Sequence, residues 1–173
     1  MGLTQYYTAT SLDGYIADEQ HSLDWLFTRE QDREGPLNYA EFIERVGALA
    51  LGSTTYEWVL AHEGKWPYEV PSWVFTHRKL EAAPGVSFTS DDVASVHAEL
   101  RAAAGDRNVW IVGGGDLAGQ FADAGLLDEV IVYIAPVALG RGAPLLPRRL
   151  ELRLEETEPN RDFLTARYTV VRP

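Results

Sequence analysis

The stretch VWIVGGGDLAGQF, Val109 to Phe121, restricts the fold more than any other part of the chain. Four residues of strand character run into three glycines and then into a helix-like segment. A strand that turns directly into a helix is the unit of α/β folds, in which the helix carries the chain back to a parallel neighbour. Glycines at such a turn have two uses. They allow tight packing, or they strip Cβ atoms from a surface that a phosphate approaches, with the amides of Gly114, Gly115 and Asp116 at a helix N-terminus. The loop alone leaves both open, and the Asp116 carboxylate opposes a second anion unless it turns outward.

The rest of the chain repeats the unit. Leu3–Ala9 reads as a strand ending in Thr10-Ser11-Leu12-Asp13-Gly14, where Asp-Gly signals a tight turn. Pro36 suits the first residue of a helix, and Tyr39, Phe42, Ile43 and Val46 follow as an apolar stripe at helical spacing. Ala48–Leu51 is a short buried strand closed by Gly52, and Thr54–Leu60 gives one or two helical turns. Trp73–Thr76 is a third strand, and Ser90 caps a helix over Asp91–Ala104. Val109–Val112, Asp116–Ala124 and Glu129–Ile134 then read as strand, helix and strand. Only the end of the chain changes period. Leu152 and Leu154, then Leu164, Ala166, Tyr168 and Val170, alternate with polar residues around Pro159-Asn160, the pattern of an antiparallel hairpin. The expected architecture is three-layered α/β, a mostly parallel central sheet with an antiparallel C-terminal hairpin, in one domain over 1–173.

Composition narrows the function. Fifteen basic against twenty-six acidic residues leave a net charge of −11, which argues against nucleic acid or an anionic membrane as partner. The absence of cysteine excludes disulfides, thiolate metal sites and cysteine nucleophiles. His21, His62, His77 and His97 offer no pair at ligand spacing, so no metal is expected. No signal-like or membrane-spanning apolar run is present, and a cytoplasmic protein is expected. Gly113-x-Gly115-x-x-Ala118 matches the dinucleotide fingerprint in form, but that fingerprint needs an acid at the end of the next strand. Here that strand ends in Ala135-Pro136-Val137, with Asp128 and Glu129 at its start. The Rossmann reading fails on context.

Five ordered segments carry a different likeness: TATSLDGYIAD (8–18), LDWL (23–26), ALGSTTYEW (50–58), VFTHR (74–78) and VGGGDLAGQFADAGLLDEVIVYIAPVALGRG (112–142). Together they resemble the dihydrofolate-reductase-like superfamily, and most closely the C-terminal reductase domain of the bifunctional riboflavin-biosynthesis deaminase–reductase with its small stand-alone relatives. The resemblance implies a homodimeric, NADPH-dependent reductase that transfers hydride to a small molecule. It places Gly113, Gly114, Gly115, Asp116 and Leu117 along the cofactor pyrophosphate. Gly52, Ser53, Thr54 and Thr55 fall toward the adenosine half, Thr76, His77 and Arg78 at the 2′-phosphate, and Ala9 and Ile16 beside the nicotinamide. Arg78, directly after a parallel strand, also suits a phosphate by its guanidinium. Ser53 departs from the arginine that dihydrofolate reductases often carry there, so any preference for NADPH rests on His77 and Arg78.

The cofactor brings the hydride chemistry, and the protein must supply or relay a proton. Asp13, Asp18, Asp24 and Glu30 are the carboxylates near the expected mouth. Asp13 lies in the strand-1 turn; Glu30 follows Trp25 by five residues, a spacing similar to that of the active-site carboxylate in many dihydrofolate reductases. Trp25 is placed either as a pocket wall or in the core. The helix PLNYAEF (36–42) lacks the arginine with which the riboflavin enzymes hold a ribose phosphate, and Gly113 stands where they commonly have glutamate. A phosphorylated substrate is therefore expected to be poorly held. Three other readings stay open: the riboflavin-pathway reduction itself, pteridine reduction of the dihydrofolate type, and a nucleotide-binding module without catalysis.

Overall fold

The computed structural model describes residues 1–173. The elements, in chain order, are β1 (Thr4–Thr10), β2 (Tyr15–Ala17), α1 (Asp24–Phe27), α2 (Tyr39–Glu44), β3 (Val46–Gly52), α3 (Ser53–Glu63), β4 (Ser72–Phe75) and β5 (Val86–Thr89). They continue with α4 (Val93–Ala104), β6 (Asn108–Gly113), α5 (Gly115–Asp123), β7 (Glu129–Ile134), β8 (Ala143–Pro144), β9 (Leu152–Asn160) and β10 (Phe163–Val170). Eight strands form one sheet in the order β5-β4-β3-β6-β1-β7-β10-β9. The six from β5 to β7 run parallel, and β10 and β9 close the sheet antiparallel.

The apolar runs of β3, β6 and β7 are continuous because both faces of these strands are covered, as a parallel sheet requires. One face packs Tyr6, Ala48, Ile111 and Val132 against Val96 and Leu100 of α4 and Phe121 of α5. The other packs Leu49, Leu51, Val74 and Trp110 against Phe42 of α2 and Tyr56 of α3. The result is the expected three layers. It also leaves α3 and α5 on opposite faces, which decides where a ligand can lie.

Local chemistry shifts several expected boundaries. Pro36 does not open α2; Asn38 caps that helix, its side chain accepting from the Glu41 amide at 2.9 Å, and Val46 belongs to β3. Pro36 instead presents its carbonyl to the Tyr133 hydroxyl at 2.7 Å. The cap of α4 is Asp92, not Ser90, because its carboxylate reaches two amides, Ala94 at 3.0 Å and Ser95 at 3.1 Å. The hairpin turns at Arg161-Asp162, with Arg161 at φ 51°, rather than at Pro159-Asn160. Pro159 is tolerated inside β9 because an edge strand has a side with no ladder to complete. The expected helix after Gly52 is longer than two turns, and β5 has no counterpart in the sequence reading. Its four residues alternate too briefly to stand out, and it forms by pairing with β4, Ser72 opposite Val86. The apolar face of the hairpin is covered only in part: Ala166 is buried, whereas Leu152, Leu154 and Leu164 are exposed. No helix is long and apolar enough to cross a membrane.

Candidate active site

β3 and β6 are neighbours, with Leu51 opposite Gly113. Each ends in glycine and turns directly into a helix, α3 on one face of the sheet and α5 on the other. A crevice must open where adjacent strands send their helices to opposite faces, and in open α/β sheets such crevices receive ligands. The two turns abut: a Cβ on Gly52 would lie 3.9 Å from the Gly113 oxygen and from the Gly114 nitrogen. The cap residues are Gly52 and Gly114, and neither helix start is satisfied by a side chain, in contrast to α2 and α4. Two sets of unpaired amide donors therefore face one cleft of about 520 Å³.

Of the residues expected at the cofactor, the cleft brings together Ile16, Gly52, Ser53, Thr54, Thr55, Gly113, Gly114, Gly115, Asp116 and Leu117. Gly114 and Gly115 differ in what they do. Gly114 faces open space, with Ile16 Cδ1 as the nearest neighbour of an added Cβ at 3.9 Å. A Cβ on Gly115 would run into the backbone oxygens of Pro144 and Leu145. The first is bare toward the cleft; the second is required by the protein's own packing. Asp116 turns away from the helix start, accepting from Arg148 and Gln120 at 2.9 Å each. Those hydrogen bonds hold its carboxyl below the usual range and draw it toward Arg148, which it shares with Asp123.

Thr76, His77 and Arg78 lie outside the cleft lining. Arg78 is held instead by Glu57 of α3, at 2.6 Å. Ala9 lines a second compartment of about 590 Å³ with Glu30, Tyr39 and Tyr133. Thr8 of β1 belongs to both spaces, so the cleft and the compartment meet there. The segment 16–33 contributes to both walls, with Ile16 and His21 on the cleft and Leu26, Phe27, Arg29 and Glu30 on the compartment. Phe27 ties this segment to α3 by stacking on His62, with ring centroids 5.2 Å apart and planes at 5°, beside Trp58.

Three arginines, Arg29, Arg33 and Arg161, line the second compartment, and none forms an ion pair with a carboxylate. The expected shortage of cations rested on the helix PLNYAEF, which does carry none. The arginine missing from PLNYAEF is answered by three from other segments. Asn160, 3% exposed, fixes the arrangement: its Oδ1 accepts from the Asp32 amide at 2.7 Å and its Nδ2 donates to the Asp32 carbonyl at 3.0 Å. Thr8, Trp58 and Phe75 were also missed in the cleft. Of these only Trp58 had a sequence signal, four residues after Thr54 on the same helix stripe.

The remaining catalytic candidates separate. Trp25 is half-buried, donates its indole N–H to the Ser22 carbonyl at 3.1 Å and packs toward Tyr133 and Phe163, lining neither space. It anchors the 16–33 segment from within. Asp13 clamps two loops: it accepts from Ser11 Oγ at 2.6 Å and from the amides of Leu139 and Gly140 at 3.0 and 2.7 Å. These bonds lower its pKa from 3.8 to about 2, so it holds no proton to deliver near neutrality. A depressed pKa means stability present above the usual carboxylate value and lost as pH falls through the folded one. Asp13→Asn is accordingly expected to be less stable than the parent at pH 7, with the difference shrinking between pH 3.8 and about 2. Urea unfolding at a series of pH values measures this, and a constant difference would contradict the clamp.

Another cavity, of about 790 Å³, lies at the opposite ends of the strands. Its polar walls satisfy one another: Gln5 donates to Glu129 at 2.7 Å, Asn108 to Gln5 at 2.9 Å and Arg167 to Glu129 at 3.0 Å. Arg45 and Arg107 also line it, but no helix start opens into it as α3 and α5 do into the cleft. No group of three or more His, Asp or Glu side chains is placed to hold a metal ion.

Comparison with known proteins bears on the same elements. The family model described as the RibD C-terminal domain matches residues 62–161. The uncharacterized protein YwjB of Bacillus subtilis (strain 168) is 36% identical over 160 residues, covering 90% of each chain. A crystal structure of a candidate riboflavin biosynthesis protein from Shewanella sp. PV-4 superposes with a TM-score of 0.83 at 31% identity, covering 98% of this chain and 99% of that one. The diaminohydroxyphosphoribosylaminopyrimidine deaminase/5-amino-6-(5-phosphoribosylamino)uracil reductase of Thermotoga maritima shares the fold at 18% identity, with a TM-score of 0.66. This chain spans 98% of its own length and 57% of that protein.

Proposed function

Because the chain belongs to the RibD C-terminal domain family, we propose that it is a reductase that uses a nicotinamide dinucleotide to reduce a small anionic imine or carbonyl compound. 5-Amino-6-(5-phosphoribosylamino)uracil is the leading candidate substrate. The observation that carries this reading is the pairing of spaces at Thr8. One holds two uncapped helix starts, and the other holds three arginines free of carboxylates.

The residues of the cleft fit a dinucleotide. The first-turn amides of α3 and α5 suit its pyrophosphate, and Gly52 and Gly114 leave the floor bare for close approach. Ile16, Trp58, Phe75 and Leu117 supply apolar walls. When bound, the cofactor supplies the hydride. The chain's own part is to orient and to shield. Phe27, stacked on α3, holds the covering segment in place and limits water at the junction. Arg29, Arg33 and Arg161 orient an anionic group, with Arg capable of gripping it by two parallel hydrogen bonds. Glu30 is the one carboxylate lining the compartment and is the group available to pass a proton.

Glu30 is also what favours a second reading, reduction of a pteridine, whose ring would need a carboxylate partner. The arginines separate the two. Titration of the protein with reduced dinucleotide, followed by energy transfer from tryptophan, is expected to saturate, and no saturable change up to millimolar cofactor overturns the reductase reading. With the ribosylamino-uracil phosphate as substrate, Arg33→Ala combined with Arg161→Ala is expected to raise KM about 100-fold, two lost charge-assisted contacts, and to leave kcat within a few-fold. A pteridine without phosphate would show no such rise.

A further inference from the structure

The outer end of the cleft holds an ion pair that the glycine turns do not require. β1, β6, β3 and β4 lie side by side, three strand spacings or about 14 Å across. Thr8, at the β1 end, opens on the second compartment, so the reacting ring of a bound dinucleotide belongs there. The uncapped amides sit between, at β6 and β3. The other nucleoside then falls against β4 and the first turns of α3.

Phe75 ends β4 on the cleft wall. The Arg78 amide donates to Thr76 Oγ1 at 3.0 Å in a turn from which the guanidinium reaches α3. There it meets Glu57 with both prongs of its fork, Nη1 to Oε2 at 2.9 Å and Nη2 to Oε1 at 2.6 Å. Glu57 is four residues after Ser53, so the two share a stripe of α3, and Ser53 lines the cleft. The carboxylate therefore stands at the rim. Both partners are about half exposed, 54% and 45%. No lysine or arginine lines the cleft itself. His77 and Lys79 flank Arg78 in the chain and are exposed.

We infer, resting on the dinucleotide reading of the cleft, that Glu57 is a specificity-determining residue: it occupies the Arg78 fork and sets a carboxylate beside the outer ribose. The cleft then accepts NADH at least as tightly as NADPH. A 2′-phosphate brings negative charge to a carboxylate and finds the guanidinium already engaged, whereas a free 2′-hydroxyl meets no such repulsion. The neighbouring guanidinium holds the Glu57 carboxyl below the usual range, so the charge persists at neutral pH.

The test is equilibrium titration of the full chain with NADH and with NADPH, read by energy transfer from tryptophan, Trp58 being in the cleft wall. An exposed ion pair adds little to stability, so Glu57→Gln is expected to fold. In the parent protein the ratio of the NADPH Kd to the NADH Kd is expected to be one or more. Glu57→Gln lowers that ratio by about tenfold, the effect of releasing one charged donor to a phosphate. Adding Arg78→Ala to Glu57→Gln returns it toward the parent value. An unchanged ratio in Glu57→Gln, with both nucleotides bound, overturns the inference and leaves the cleft reading intact. Parent protein that binds NADPH tenfold more tightly than NADH overturns it also. Binding of neither nucleotide to any variant overturns the cleft reading itself, and the inference with it.

Discussion

Gly115→Ala is expected to lower the free energy of unfolding by about 1–3 kcal/mol, the range for forcing atoms into a packed interior. The added carbon would meet the carbonyl oxygens of Pro144 and Leu145, which are backbone and have nowhere to rotate. That backbone is held on three sides. Its Leu145 amide donates to the Gly14 carbonyl at 2.9 Å, and its Leu145 carbonyl accepts from the Tyr6 hydroxyl at 2.9 Å. Pro144 also pairs with Tyr15 in the small β2–β8 sheet. A retreat of the strand would strip the partner from Tyr6, which is 0% exposed, and a buried hydroxyl without a partner costs about 1–3 kcal/mol more. The same strand carries Pro144 to the cleft wall, so nucleotide affinity falls with stability. Urea unfolding with and without NADH measures both, and a variant as stable as its parent would show that the β8 segment yields freely.

Gly52→Val is expected to have the opposite profile: a fold close to the parent in stability, and a Kd for reduced dinucleotide raised at least tenfold. Gly52 has φ −86° and ψ 166°, which any L residue adopts, and a Cβ there makes only ordinary contacts at 3.9 Å. What the two methyl groups take up is the floor between the helix starts, where the amides must be approached closely. A shape block without unfolding is the signature. Unchanged affinity in a folded Gly52→Val would mean that the anion does not lie over these turns. The two substitutions thus separate a glycine needed by the protein from a glycine needed by its ligand, though both sit at strand-to-helix turns.

That distinction marks the limit of what was legible in the chain. The turns at Gly52 and Gly113–Gly115 could be read because strand period, glycine and helix period lie within a dozen residues of one another. Their grouping in one cleft follows from β3 and β6 being adjacent and their helices leaving on opposite faces, and no local pattern encodes that adjacency. Arg78 shows the same gap. Its place after a strand was legible, but its partner Glu57 lies 21 residues earlier on another element, and the pairing changes what the guanidinium is free to bind.

The sequence by itself determined the α/β alternation, the antiparallel change of period at the C-terminus, the exclusion of cysteine chemistry, and which turns were stripped of side chains. These are short-range properties, set by backbone sterics and by apolar spacing of two or 3.6 residues. Only the tertiary structure decided what each turn faces. It brought Arg161, in the hairpin turn, beside Arg29 and Arg33 through contacts such as the Glu30 amide on Asp162, 132 residues apart in the chain. It also gave Asp13 to the loop at Leu139 and Gly140, 126 and 127 residues away, and so removed it from the chemistry. Burial drives such pairings across any length of chain, because an apolar face gains the same free energy from a distant partner as from a near one.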